Sequence, residues 1–497
     1  MNYGFTCPDN IPVLHLNCGR LNAQAAQALH KAVRETRDAG RAAMLIDMSG
    51  VSRLTHCGLA ALVECYGQNG GAITLGFFGI TPKVLGRINK FGLGQQLPIY
   101  ATSTDALEAN VFRRHLLAGS RAVILAADAP RDLAPLSWDH ATTMLDLLGQ
   151  PVLSHLTGGL RRFGLRDVCI AAGHNAQDIS HHLDAYPDSR VILSKQGKEG
   201  TDGWEAAPLG TASTLAHLQR EISYCQNDLI VLHGDTVGDI DLPAMMEHHR
   251  RSGALATVAA FLTEQSDHAH HGWVRSSPTG LVLGLGGPDT VIATSKALAL
   301  GGIYILSPSA IRMVADRPAQ DLERDLLASL LANRAAIQIF ESERRHRIRT
   351  GRDYAAVLQA VLRGEIAGLT PDAQEVEPGK WIAKGAEVSR TAKLRAPCFV
   401  GRNSIIGAHA TLSGGTIIGA DSYVGAGAQI DGSIIMPKSH VVEGSELTGQ
   451  LASPFWAVET AIADGRSEGC EPLDAVRPLS SPQPATTVWR HLVRGVS

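Results

Sequence analysis

The sequence predicts a doubly wound α/β domain set between a smaller α/β domain and a left-handed parallel β-helix. Residues 119–365 alternate near-continuous apolar strands with amphipathic helices, and residues 11–115 do so at shorter spacing. Residues 376–448 instead place an apolar side chain at every sixth position. A chain of 497 residues also fits three domains, at a prior of roughly 150 residues each. Forty-five basic and 48 acidic residues leave a net charge of -3, so no global field draws nucleic acid or an anionic membrane. Any acidic ligand must be held locally.

The eight cysteines have neither CxxC pairs nor zinc spacing, and reduced, buried thiols are expected. The opening MNYGFTCPDN has no basic region leading into an apolar one, and no run approaches roughly 18 apolar residues. A cytoplasmic protein without a membrane span is expected.

The first domain, placed at 1–117, begins with strand IPVLHLN and helix LNAQAAQALHKAVRETRDAG. Strand AAMLIDMSGV, helix LTHCGLAALVECYGQNG, strand AITLGFFG and helix ITPKVLGRINKFGL follow. IDMSGVSRLTHCGL and the downstream ITPKVLGRINKFGLGQQLPIYATSTDAL resemble the STAS family, whose regulatory members dock protein partners. That resemblance implies a phosphoacceptor serine two residues before a helix glycine, where added charge switches binding. Counted back from Gly58 the position is His56, with Ser52 and Thr55 as neighbouring hydroxyls.

The second domain, placed at 118–370, opens with strand RAVILAA and continues through DVCIAAG, RVILS and DLIVLHGD, with helices between. A mostly parallel sheet puts ligands at the carboxyl ends of its strands, here Ala127–Asp128 and Gly234–Asp235.

For the β-helix, placed at 376–450, Val388, Leu394, Val400, Ile406, Leu412, Ile418, Val424, Ile430, Met436 and Val442 are spaced by six. Each six-residue step forms one face of a triangular coil, with its apolar residue stacked inward. The segment 454–497, with GRSEGCEPLDAVRPLSSPQPATT, is aperiodic and expected to be a loosely attached tail.

VILAAD…LAPLS, APLGTASTL, LIVLHGDTVGDIDL, LALGGIYILSP and RTGRDYAAVLQAVL, in that order, resemble the sugar-1-phosphate nucleotidyltransferases. These are the NDP-sugar pyrophosphorylases, GT-A-like enzymes often followed by a hexapeptide β-helix, as in the mannose-1-phosphate guanylyltransferase branch. The resemblance implies nucleotide binding by Leu125, Ala126, Ala127, Leu209, Gly210, Thr211 and Asp235, and sugar binding by Gly301 and Gly302. It also implies magnesium on Asp235. The family reaction joins a sugar 1-phosphate to a nucleoside triphosphate and releases pyrophosphate, with catalysis by positioning and charge stabilisation.

The departures from the family pattern all concern phosphate and metal. The loop LAAGxGTRLxPLT becomes Leu125 to Ser137 with Asp128 and Pro130 for the glycines and Asp132 for the arginine, Arg131 standing one place early. Carboxylates there repel phosphate, and proline removes a backbone donor. Ala141-Thr142 replaces Pro-Lys, Gln150 a lysine, and Gly286-Gly287 the Glu-Lys before Pro288. Lys195, Lys198 and Lys296 read as surface lysines. The second metal carboxylate aligns with Arg349, whose guanidinium is expected to pair with Asp235 and fill the metal's charge role. Each lost donor at a charged transition state costs ~3 kcal/mol. The base-side loop keeps Leu209-Gly210-Thr211-Ala212, with Ser213 for the usual glycine.

The expectation is a degenerate member of the family, a regulatory or scaffolding subunit in nucleotide-sugar or polysaccharide synthesis. It would bind a nucleotide or nucleotide-sugar, oligomerise, and dock an active paralogue or a STAS-binding signalling partner, without a cofactor. The rival is a working transferase with a remodelled loop and magnesium. The histidine-rich DHAHHGW (267–273) reads as a surface loop, and Ser137, Asp139 and His140 lack the elbow of a hydrolytic triad. A β-helix acyltransferase would need a coil histidine, His409 or His440, and more coils than this chain has.

Overall fold

The computed structural model describes residues 2–6, 11–68, 73–127, 131–138, 140–188, 190–200, 203–238, 240–262, 272–286, 297–314, 320–342, 346–459 and 472–479. The first domain is a four-stranded sheet ordered Asn2–Thr6, Val13–Asn17, Ala43–Asp47, Thr74–Phe78, with only the outer Asn2–Thr6 strand antiparallel. Helix Ala23–Asp38 starts where Asn22 accepts the Ala25 N–H at 3.0 Å, and buries Leu29, Ala32 and Val33 against Met44 and Ile46.

The second domain is built on a nine-stranded sheet. Its main path runs Val191–Lys195, Asp167–Ala172, Arg121–Ala126, Leu229–His233, Ala297–Leu306, Ala256–Leu262 and Ile337–Glu341. The first four strands are parallel, as the apolar runs predict. Ala297–Leu306 is antiparallel to both neighbours, so the sheet is mixed. Its register slips by two residues against Ala256–Leu262, since Val258 faces Tyr304 while Ala260 faces Leu300. The slip falls beside Gly301 and Gly302.

The third domain stacks three parallel sheets. Partners lie 18 residues apart in the early coils, Phe399 with Ile417 and Ile405 with Tyr423, as three six-residue faces require. From Ile417 paired with Ile434 onward the offset is 17. One residue is lost after Ile430, so the buried positions become Ile435, Val441 and Leu447. The expected Met436 and Val442 are corrected: Met436 packs with the second domain, and Val442 is half-buried.

The doublets Phe399-Val400, Ile417-Ile418 and Ile434-Ile435 now have a cause. The second member faces the coil interior, and the first packs on the second domain through Tyr354, Val357 and Leu358 of helix Gly351–Leu362. Gln359 donates to the Gly415 carbonyl at 2.6 Å, and a Cβ at Gly415 would lie 2.2 Å from that side chain. The two domains therefore share a core.

The expectation of a loose tail is corrected for its described parts. Ala457–Glu459 pairs with Gln450–Ala452, and Val476–Pro478 with Ser439–Val441, both antiparallel. Apolar Ala457 and Val476 complete the coil interior. No helix among the described residues is long and apolar enough to cross a membrane.

Candidate functional site

Strands Arg121–Ala126 and Leu229–His233 run parallel, with Leu125 opposite His233. Beyond their ends the Gly234 N–H donates to the Leu125 carbonyl at 2.8 Å, and the His174 N–H to the Ala127 carbonyl at 3.2 Å. A Cβ on Gly234 would stand 2.4 Å from Thr143 Cγ2, so only glycine lets the loop close over this exit. Leu125, Ala126, Ala127 and Asp235 thus meet at one mouth.

The altered loop folds back as a short 3-10 turn, Arg131–Leu133, with Leu133 and Leu136 buried in the core shared with the β-helix. Asp132 is exposed, and Asp128, Ala129, Pro130 and Asp139 lie outside the described residues. His174 Nε2 bonds the Ser137 carbonyl at 2.9 Å and His140 Nδ1 lies 3.0 Å from Asp178, so Ser137 and His140 have separate partners. Thr142, at the lysine position, begins a 3-10 turn. The hydroxyls of Thr142 and Thr143 are buried without a partner among the described residues. Gln150 sits exposed in a two-stranded hairpin. Gly286 lies under Trp273, whose ring a Cβ would meet at 2.1 Å. Lys195 is exposed, Lys198 pairs with Glu205 at 3.5 Å, and Lys296 and most of DHAHHGW lie outside the described residues.

The expected pairing of Arg349 with Asp235 is present, but it is the longer of two. Arg347, not Arg349, is its main partner: Nε lies 3.1 and 3.2 Å from the two carboxylate oxygens and Nη2 lies 2.9 Å from Oδ2. This is a fork-on-fork pair, with the Arg347 side chain 4% and the Asp235 side chain 14% exposed. Arg349 stands behind it at 3.8 Å from Oδ2, 32% exposed. The backbone explains both. Thr236–Val237 pairs with His346–Arg347, Ile348 N–H donates to the Asp235 carbonyl at 2.8 Å, and a Thr350/Asp353 capping box fixes the following helix. Arg347 and Arg349, two apart in extended chain, share a face. That alternation in RIRTG was the available signal for Arg347.

Three further groups join the cluster. Glu323 lies 3.8 Å from Arg347 and accepts a short hydrogen bond from Tyr304. His233 packs edge-on to Tyr304 at 5.7 Å, and its buried Nε2 has no partner among the described residues. Burial, assisted by Arg347, pushes His233 down to about 3, so it is neutral at pH 7. Burial alone would raise the Asp235 carboxyl, but Arg347, His233 and Arg349 outweigh it and hold it at about 2.

Gly302, at φ +70°, brings strand Ala297–Leu306 against this cluster: a Cβ there would lie 2.5 Å from Thr236 Oγ1 and 3.7 Å from Arg347 Nε. Leu209, Gly210 and Thr211 are held to the same end of the sheet. Buried Gln196 accepts the Leu209 N–H at 3.1 Å and donates to Thr214 at 2.7 Å, while its own N–H donates to the Ala172 carbonyl. Thr211 donates to Asp321 at 3.2 Å and accepts the Leu322 N–H at 2.7 Å. Because Glu323 follows in the same π-helical turn, the Leu209–Thr211 loop is linked to Arg347.

A divalent cation does not fit this donor set. Both Asp235 oxygens are taken by a guanidinium whose charge repels a metal, and the aligned second carboxylate is Arg349. Among the described residues no group of three or more His, Cys, Asp or Glu is placed to hold a metal ion.

In the first domain, Ser52 donates to the Gly19 carbonyl and Thr55 to the Leu21 carbonyl, both at 2.7 Å. Thr55 also accepts the Gly58 N–H at 3.1 Å, capping the helix that His56 begins. His56 is exposed, its ring edge-on to Phe91 at 5.8 Å.

The nucleotidyl transferase family model matches residues 121–343, the STAS domain model residues 5–106, and the bacterial transferase hexapeptide model, of six repeats, residues 397–432. The UTP–glucose-1-phosphate uridylyltransferase of Synechocystis is 25% identical over 346 residues, spanning 68% of this chain and 88% of that one. The mannose-1-phosphate guanylyltransferase catalytic subunit beta of Drosophila pseudoobscura is 25% identical over 212 residues, 43% of this chain and 54% of its own. The crystal structure of HddC from Yersinia pseudotuberculosis complexed with GMP-PN covers 48% of this chain and 98% of its own, at 19% identity and a TM-score of 0.39, too loose to carry a fold argument. The chain thus joins a STAS domain and a hexapeptide repeat to a central domain of the nucleotidyl transferase family, with sugar-1-phosphate nucleotidyltransferases as its relatives.

Proposed function

We propose that the cleft binds a nucleotide or nucleotide-sugar without turning it over, and that the chain is a regulatory or scaffolding subunit in nucleotide-sugar or polysaccharide synthesis. One observation carries this reading: Arg347 occupies both oxygens of Asp235, the one metal carboxylate that the family pattern retains. Phosphoryl chemistry of this family draws on metal charge, and a guanidinium locked to its own carboxylate cannot follow a migrating phosphate.

Binding is supported by what remains. The Leu209–Gly210–Thr211 backbone offers groups to a base, the Thr142 and Thr143 hydroxyls offer donors, and half-buried Arg349 offers a permanent charge to a diphosphate. The ligand then binds without magnesium. Thermal-shift titration with UDP-glucose, GDP-mannose, UTP and GTP tests this. At about 100 times the dissociation constant, a ligand adds about 2.7 kcal/mol to stability. The expected result is a raised melting temperature for at least one ligand, equal in EDTA and in magnesium. No shift with any ligand, or one that needs magnesium, contradicts the proposal.

A further inference from the structure

The STAS domain walls a cavity of about 620 Å³ whose lining includes Arg20, Arg53, Lys83, Arg87 and Lys90, with His56, and no carboxylate. The fold forces these like charges together. Arg20 and Arg53 are register partners across the parallel strands Gly19–Leu21 and Val51–Leu54. Lys83, Arg87 and Lys90 fall three and four residues apart on one face of helix Pro82–Lys90, which packs on the Val51–Leu54 strand. Like charges in either relation are destabilising.

Elsewhere in the domain Lys31 pairs with Glu35 at 3.7 Å and Arg37 with Asp38 at 3.0 Å. Among the described residues none of the five cavity cations meets a carboxylate. The contact of Arg87 Nη2 is with His56 Nδ1, a long 3.5 Å, and Arg87 Nε is buried with no partner among the described residues. Ser52 and Thr55 donate to backbone carbonyls, which leaves the cations as the donors facing the cavity. A chain with net charge -3 has concentrated unbalanced positive charge in one concave place.

We propose that this cavity binds a small oligophosphate anion, either free pyrophosphate or the phosphate tail of a nucleotide. Several adjacent phosphate oxygens can accept from both arginine forks and from the lysines at once, which a single carboxylate cannot do. Phe91, 47% exposed and set edge-on to His56, adds an aromatic surface that a nucleoside can use. The input domain would then sense the class of anion that sugar-1-phosphate nucleotidyl transfer consumes and releases.

Isothermal titration of the full chain at low salt tests this, with inorganic pyrophosphate, inorganic phosphate, GTP and hexaglutamate as probes. Pyrophosphate is expected to bind, with affinity falling as salt rises. Arg53→Gln with Arg87→Gln is expected to weaken it roughly 100-fold, about tenfold per cation. Lys31→Gln, on an exposed helix face outside both sites, leaves this binding in place. Equal affinity for pyrophosphate and GTP assigns recognition to phosphates alone, and a GTP preference of about tenfold or more assigns the nucleotide. Should the double variant melt lower than wild type, the exposed pair Lys83→Gln with Lys90→Gln replaces it. Absence of pyrophosphate binding, binding unchanged in both double variants, or binding of hexaglutamate alone overturns the proposal.

Discussion

At the cleft mouth Arg347 lies 2.9 Å from Asp235 and 3.8 Å from Glu323, almost wholly buried. In the STAS cavity, Arg20, Arg53 and Arg87 share a wall that holds no carboxylate. The same residue type therefore serves opposite ends. Where the counter-charge is built into the protein, arginine takes up both oxygens of its carboxylate. Where it is left out, the arginines carry unbalanced charge, as the proposed oligophosphate site requires.

The largest expected effect separates the two places by stability. Arg347→Ala leaves the buried Asp235 charge with only the more distant Arg349 at 3.8 Å, and should cost about 3 kcal/mol in denaturant unfolding. Replacing the pair together, Arg347→Met with Asp235→Leu, should recover most of that loss, because well-packed apolar groups match a buried ion pair. A small loss in the single variant would mean that the pair is solvated and the cleft open.

Acid gives the next effect. The Asp235 carboxyl is held at about 2, below its unfolded value, so its contribution is fully present above about pH 4 and is lost as pH falls toward 2. The shift corresponds to about 2 kcal/mol. Asp235→Asn should flatten that part of the acid unfolding curve.

The smallest effect belongs to the STAS cavity. Arg53→Gln with Arg87→Gln removes repulsion and breaks no ion pair, so stability should stay level or rise by less than about 1 kcal/mol. Salt should give wild type the same small gain. A clear loss would show that these cations have a structural partner.

The β-helix and the order of the domains were legible because repetition and strand alternation are properties of the chain itself. The 18-residue repeat follows from the apolar spacing. Its contraction to 17 after Ile430 was hidden because Met436 and Val442 are apolar too, and a one-residue slip leaves the hydrophobic count unchanged. The antiparallel Ala297–Leu306 strand was hidden because a strand buried on both faces looks alike in either direction.

At the site, the family resemblance implied a role for Asp235 and put Arg349 opposite it, and the ion pair between those two residues was legible as a charge reversal. Which arginine makes the fork depends on the pairing of Thr236–Val237 with His346–Arg347, a contact over more than 100 residues that no local pattern encodes. Glu323, Tyr304 and His233 were missed for the same reason. The cavity cations were each visible in sequence, but their shared wall depends on packing a helix against a strand.

Pyrophosphate release with magnesium, across a panel of triphosphates and sugar 1-phosphates, compares wild type with Asp235→Asn and tests the closed cleft most directly. The arginine clamp predicts no release above the protein-free blank for either form. Robust release by wild type that Asp235→Asn abolishes would show Asp235 holding a metal, and would contradict the account.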